Sequence, residues 1–182
     1  MPSNWINGNR VMPISVGPYS PQATGLEQWR TGISSSTSLT IGASNIYLYP
    51  VMVTEPYRVL RLWVLNGATT NGNWEVAIYS NNGDQLVTGG STVQAGANLY
   101  QARNIDYTLG IGSYWIGLAT SSATATFLGR AATLASSRLI RDQTMYATSV
   151  TVGSAIPMPS SIVIGSNLAY SLPFYGIARA AL

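Results

Sequence analysis

From Ser38 onward the chain is cut into short apolar runs by turn residues that recur about every ten positions, and this spacing constrains the fold more than any other feature. The runs alternate with a period of two. Leu39 and Ile41 flank Thr40. Leu60, Leu62 and Val64 share one face of residues 57–65, with Arg61 and Trp63 on the other and Arg58 unable to be buried with the leucines. Trp74, Val76 and Ile78 point one way, residues 105–109 alternate, and Tyr114, Ile116 and Leu118 repeat the pattern. Between the runs stand Asn66-Gly67, Asn71-Gly72, Asn81-Asn82-Gly83-Asp84, Gly89-Gly90, Ala95-Gly96, and Gly110 with Gly112, residues that supply the backbone angles of tight turns. Residues 46–49 and 51–53 flank Pro50, which cannot donate to a ladder and is predicted at a bulge or an edge. Residues 124–128, 144–152 and 161–164 complete the strand candidates. The one helical candidate, residues 131–141, lacks a convincing stripe because Leu134, Leu139 and Ile140 do not recur at helical spacing, so it reads as a loop or a single turn.

This pattern predicts an all-β, antiparallel sandwich or barrel over residues 38–182. Its core should include Leu60, Leu62, Val64, Val76, Ile78, Tyr114, Ile116 and Leu118. Residues 1–37 read differently. They are rich in Pro, Gly, Ser and Asn, show no sustained period, and yet hold Trp5, Ile6, Val11, Met12, Tyr19 and Trp29. A merely flexible tail would be poor in aromatics. The segment is expected to be an extended, irregular arm that orders by laying Trp5, Tyr19 and Trp29 on a partner, or else one that folds back over its own sheet.

At 182 residues the chain has the size of one compact domain, which typically buries about 70% of its unfolded surface. Hydrophobic residues reach 46% and charged residues only 8%, against about a quarter charged in ordinary domains. Charge is what interface cores exclude, so such a surface favours association. All nine basic residues are Arg and none is Lys. That bias fits buried contacts, since guanidinium is weakly hydrated and binds in a fork, and it fits equally the base composition of a source genome. The net charge of +3 comes from scattered arginines, whereas nucleic-acid binding needs a clustered stripe; no nucleic-acid partner is expected. Met1 to Arg10 carries no signal-type apolar core, and no stretch approaches the roughly 20 apolar residues of a membrane span.

The residue inventory narrows the chemistry. With no Cys, His or Lys, the sequence lacks a thiolate, a near-neutral base, His- or Cys-ligated zinc and a phosphate-binding P-loop. Six carboxylates remain. Glu55 and Glu75 are the only suggestive pair for glycoside hydrolysis, but Arg58 and Arg61 are as near, and an ion pair at a sheet edge is the simpler expectation. Asp84 beside Asn81 and Asn82 is thin support for calcium, which takes 6–8 oxygens, and a hairpin turn explains the three together. No enzyme activity, metal or cofactor is expected.

The aromatic residues Tyr47, Tyr49, Trp63, Trp74, Tyr79, Tyr114 and Trp115 can serve as core, as subunit packing, as anchors between proteins or as a sugar-stacking platform. Trp63 and Trp115 lie on faces opposite to the assigned core, so both are expected to be exposed anchors for a partner. The run from Leu172 through Phe174 and Tyr175 to Leu182 is apolar enough to lie in a subunit contact.

Residues 55–120 carry the arrangement Pro56-Tyr57-Arg58-Val59, then Val76-Ala77-Ile78-Tyr79-Ser80-Asn81-Asn82-Gly83-Asp84, then Gly112-Ser113-Tyr114-Trp115-Ile116-Gly117-Leu118-Ala119. This resembles the jelly-roll modules of virion structural proteins of tailed bacteriophages: head decoration (cement), head-fibre and tail or baseplate proteins. The resemblance covers about a third of the chain through structural motifs and implies an eight-stranded, two-sheet, jelly-roll-like β-sandwich, commonly trimeric. It implies a virion location on the capsid surface with the major capsid protein as partner, or a tail, baseplate or fibre role in binding a host-surface glycan. Because the pattern lacks sustained helical periodicity, the far-ultraviolet circular dichroism of the protein should be β-dominated, with helix below about 10%; a helical-bundle spectrum would contradict the assignment.

Overall fold

The computed structural model describes residues 5–6, 9–10, 37–131, 148–164, 171–173 and 175–178. Every regular element among them is a strand. β1 (Trp5–Ile6) and β2 (Asn9–Arg10) pair with each other. The rest are β3 (Thr37–Thr40), β4 (Asn45–Val53), β5 (Tyr57–Leu65), β6 (Asn73–Ser80), β7 (Gln85–Thr88), β8 (Thr92–Val93), β9 (Tyr100–Leu109), β10 (Gly112–Thr120), β11 (Thr126–Ala131), β12 (Thr148–Thr151), β13 (Ser171–Pro173) and β14 (Tyr175–Ala178). The helical candidate beyond Ala131 lies outside the described residues.

The larger sheet has the order β12-β4-β10-β6-β7, with β8 added to β6. The facing layer is made of β13-β11-β3 and β14-β5-β9, joined by a bridge from Asn66, just past β5, to Phe127 in β11. All its pairings are antiparallel. The chain crosses between layers repeatedly: β4 to β5, β5 to β6, β9 to β10 and β10 to β11 each change sheet. Val51, Val53, Trp74, Val76, Ile78, Ile116 and Leu118 from the large sheet meet Tyr57, Val59, Leu62, Val64, Phe127, Tyr175 and Ile177 from the other in one buried core. The alternation read from β6 and β10 therefore holds, with Tyr114 half-buried against that core.

One core assignment needs correction. Leu60 is only half-buried, because the β5–β9 register slips between Val59 and Arg61. Two residues of β9, Ile105 and Asp106, stand opposite Leu60 alone, and such a bulge resets which side chains point inward. Tyr57 and Val59 are the inward residues before it, and Leu62 and Val64 after it. Pro50 lies where predicted: β12 reaches along β4 only to Leu48, so among the described residues the flank of β4 at Pro50 has no strand beside it. Residues 161–164 form no strand; Ser161 makes a single bridge to Asp84.

The large sheet is apolar on its outer face too. Ile46, Leu48, Ala77, Tyr79, Trp115 and Ala119 are buried there under a strap of residues 152–164 that contributes Ala155, Met158 and Ile162. The strap is fastened at one side by the Val152 and Ala155 amides, which donate to the Ser44 and Ala43 carbonyls. At the other side the Gln85 amide donates to Ser160 and the Ile162 amide to Gly83. Gly117 makes this seat possible, since a Cβ there would lie 2.8 Å from Met158 Cε.

Buried leucine truncations cost about 2–5 kcal/mol, so Leu62→Ala should fall in that range by denaturant unfolding, and Leu60→Ala should cost distinctly less. Equal losses at the two positions would contradict the bulged register.

Candidate interaction surfaces

The residues expected to meet a partner separate into those the fold absorbs and those outside the described residues. Trp63, Trp115 and Tyr175 are absorbed. Trp115 does lie on the face of β10 away from the core, but it is 6% exposed because the strap covers it. Trp63 also points away from the core and is 1% exposed. Its cross-strand neighbours are Ala102 and Gly176, and the Tyr100 ring lies at 6.0 Å between centroids. Neither tryptophan is an exposed anchor. Alternation gave their direction correctly; burial on an outer face depends on a further layer or on small neighbours, which alternation does not encode.

Tyr175 is 1% exposed and lies in the centre of the sandwich. Its hydroxyl donates to the Tyr47 carbonyl at 2.5 Å and lies 3.1 Å from that of Ile116, and its ring stacks on Tyr49 at 4.7 Å. The Tyr49 hydroxyl in turn donates to the Pro173 carbonyl at 2.9 Å. β13 and β14 therefore complete the layer, and the expected subunit contact is corrected to a core strand at Tyr175 and Ile177. Trp5 contributes its backbone to β1; Tyr19, Trp29 and Phe174 lie outside the described residues.

The carboxylates are dispersed. Glu55 is at an exposed turn between β4 and β5, whereas Glu75 is near the start of β6 in the large sheet. Tyr57 pairs with Leu109 at one end of the sandwich, and Thr120 pairs with Trp74 at the opposite end, so the two glutamates are not an acid and nucleophile pair. Glu75 is buried under the strap, where its oxygens accept from the Thr88 hydroxyl at 2.6 Å and the Met158 amide at 3.1 Å. Asp84 closes the β6–β7 hairpin: its amide bonds the Ser80 hydroxyl and its carbonyl accepts from the Ser80 amide. Among the described residues no three acidic side chains gather as a metal-holding group. Arg58 forks onto Asp106 across β5 and β9 at 2.8 and 2.7 Å, and this contact holds the Asp106 carboxyl below its ordinary range. The pair is exposed, so it contributes little to stability.

Both ends of the sandwich leave large apolar side chains exposed, Val93 and Leu99 at one and Ile111 and Met52 at the other, and they differ in how their loops are held. At one, the loops at 66–72, 93–99 and 121–126 are tied by two buried amides. Asn66 Nδ2 donates to the Ala95 carbonyl and to Gln101 Oε1, both at 2.7 Å. Gln94 Nε2 donates to Asn66 Oδ1 at 3.2 Å and to the Thr126 carbonyl at 2.8 Å, while its Oε1 accepts from the Asn71 amide. At the other end the strap reaches the turn at residues 81–84, while the turns at residues 54–56 and 110–111 are exposed and carry Ile111 at 73% and, on the adjoining strand, Met52 at 43% exposure. Gly112 pairs with Val53 and Ser113 with Met52, so these two apolar side chains belong to the same end. The sequence signal for them was present: Ile111 stands between two glycines in a turn, and Met52 alternates with inward Val51 and Val53.

Searches against protein-family models, curated proteins and solved structures find no match to this chain.

Burial pushes the phenols of Tyr49 and Tyr175 well above the ordinary tyrosine range, and their closeness to each other or to Tyr47 adds to it. Tyr79 is pushed up to about 12, by burial first and by the Glu75 carboxylate, against a hydrogen bond with Gln85. Folded values above the unfolded value of about 10 stabilise fully below that pH and lose the contribution as pH rises through the folded values. Stability should therefore be insensitive to tyrosine ionisation below about pH 10 and fall above it, as followed by tyrosinate absorbance and unfolding together. Tyr175→Phe, which leaves two buried carbonyls without that donor, should cost about 1–3 kcal/mol at neutral pH; no loss would show that the hydroxyl is not held across the core.

Proposed function

We propose that this protein is a non-enzymatic structural protein that works by assembly, and that its role is capsid decoration: a jelly-roll-like module that binds capsid subunits of a bacteriophage and reinforces the shell. The observation that carries the reading is the exposure of large apolar side chains, above all Ile111 at 73% with Met52 at 43% at one end of the sandwich; the end tied by the Asn66 and Gln94 amides also leaves Val93 and Leu99 in water. An apolar pair on a chain with 8% charged residues is suited to a protein partner. The repeated crossing between layers supports the jelly-roll reading, and the virion assignment rests on the motif resemblance in residues 55–120. The arm, with Trp5, Tyr19 and Trp29, is the second element assigned to the capsid, and self-association as a trimer follows from the resemblance.

The glycan-binding alternative loses its platform, because Trp63, Trp74, Tyr79 and Trp115 are buried and Tyr47, Tyr49 and Tyr114 are half-buried against the core. A carboxylate pair for polysaccharide hydrolysis is likewise missing from the geometry of Glu55 and Glu75.

Co-sedimentation with capsids stripped of their decoration tests the proposal. The full chain should pellet with the shells, a chain beginning at Thr37 should keep its β spectrum yet pellet less, and Ile111→Asp should weaken attachment without altering the fold. Binding on a glycan array with no attachment to shells would overturn it in favour of a host-attachment role.

A further inference from the structure

The layer built on β14-β5-β9 ends at β9, the longest strand, with ten residues. Among the described residues β9 pairs only with β5, and Leu109 alone of its residues is buried. A strand edge presents a row of open N–H and C=O groups, and folded proteins blunt such edges by shortness, cover, proline or lysine. The other edges here follow that rule: β3 and β12 have four residues each, and the flank of β7 is taken by the strap through Gln85 and Asp84. β9 has no proline and no lysine. Its two charges are turned back onto their own protomer, Arg103 Nε donating to the Gly89 carbonyl at 3.2 Å and Asp106 held by Arg58. Nothing in the strand repels a second strand laid beside it.

We propose that the β9 edge is a docking site for β9 of a second copy of this chain, antiparallel about a twofold axis at Ala102, so that two layers join as one continuous sheet. This is strand addition, in which main-chain hydrogen bonds supply the contact and side chains select the register. Opposed residues in an antiparallel pair share a face, and a twofold normal to the sheet keeps both cores on one side, so the axis must pass midway between a residue and its own copy. An axis at Arg103 would oppose two arginines and one at Asp106 two aspartates, both destabilising. Axes at Asn104 or Ile105 would run the new ladder through the bulge opposite Leu60. An axis at Ala102 confines it to residues 100–104, which keep unbroken register with 61–65. Tyr100 then opposes the partner's Asn104, Gln101 opposes the partner's Arg103, and the smallest side chain in the strand lies on the axis. The contact joins copies in pairs, whether single chains or trimers, and needs no capsid.

The chain has no cysteine, which makes single-cysteine cross-linking clean. Opposed Cα atoms in antiparallel strands are about 4.5–5.5 Å apart, inside the span of about 4.4–6.8 Å that a disulfide bridges. Under mild oxidation at micromolar concentration, full-length Ala102→Cys should convert mostly to covalent pairs, while Asn104→Cys and the exposed loop variant Ala123→Cys should not. Asn104→Lys, a charge on the proposed edge, should halve the mass seen by light scattering with the β spectrum and melting temperature retained. Cross-linking of Ala102→Cys no greater than that of Ala123→Cys, or an unchanged mass for Asn104→Lys, would overturn the edge contact. Attachment to shells that survives in either variant would leave the decoration reading intact.

Discussion

The fold depends on one sheet being buried on both of its faces. β10 shows this residue by residue: Ile116 and Leu118 enter the sandwich core, while Trp115 and Ala119 lie on the reverse side. A two-layer sandwich ordinarily wets its outer faces, and leaving this one wet would expose Ile46, Leu48, Tyr79 and Trp115 together. Each fully buried side chain of that size contributes about 1.5–3 kcal/mol, so the outer face needs a cover, and residues 152–164 provide it. Several features then follow. Gly117 lacks a side chain because Met158 lies over it. Glu75 can be buried because the strap's own amide at Met158 and the Thr88 hydroxyl satisfy it. Gly83 adopts a positive φ of 91° where a Cβ would collide with the Ile162 carbonyl.

Much of the sandwich was legible in the sequence because period-two alternation is a direct record of burial. Val76, Ile78, Ile116 and Leu118 were read correctly on that basis, and so was the turn at residues 81–84. The rest was hidden for physical reasons. Leu60 was misplaced because a bulge is an event in pairing, visible only when β5 and β9 are set side by side. Trp63 and Trp115 were aimed correctly but judged exposed, since alternation reports which face a residue takes and nothing about what lies beyond it. The strap is rich in Pro and Ser, its end at residues 161–164 was read as a strand that does not form, and its importance comes from the outer face it covers. The run from Leu172 to Leu182 was assigned to a subunit contact because it is apolar, whereas Tyr175 stacks on Tyr49 and donates to the Tyr47 carbonyl inside the sandwich.

The same accounting directs the functional reading. Once the strap takes the outer face and the core takes the large aromatics, few surfaces remain through which the described part of the chain can act. The end tied by Asn66 and Gln94 uses its polar groups internally. What is left among the described residues is the exposed apolar side chains, Met52 and Ile111 at one end with Val93 and Leu99 at the other, and the open edge of β9. Both are surfaces that a protein can complete, the first through apolar contact and the second through backbone hydrogen bonds.

Hydrogen–deuterium exchange on the full chain, free and bound to stripped capsids, tests the central claim most directly. The strap amides of Ala155, Met158 and Ile162 should already be protected in the free protein and unchanged on binding, while new protection should appear around residues 52–56 and 110–113. New protection over residues 152–164, with none at the open end, would show that the covered face is the interface and would contradict the account.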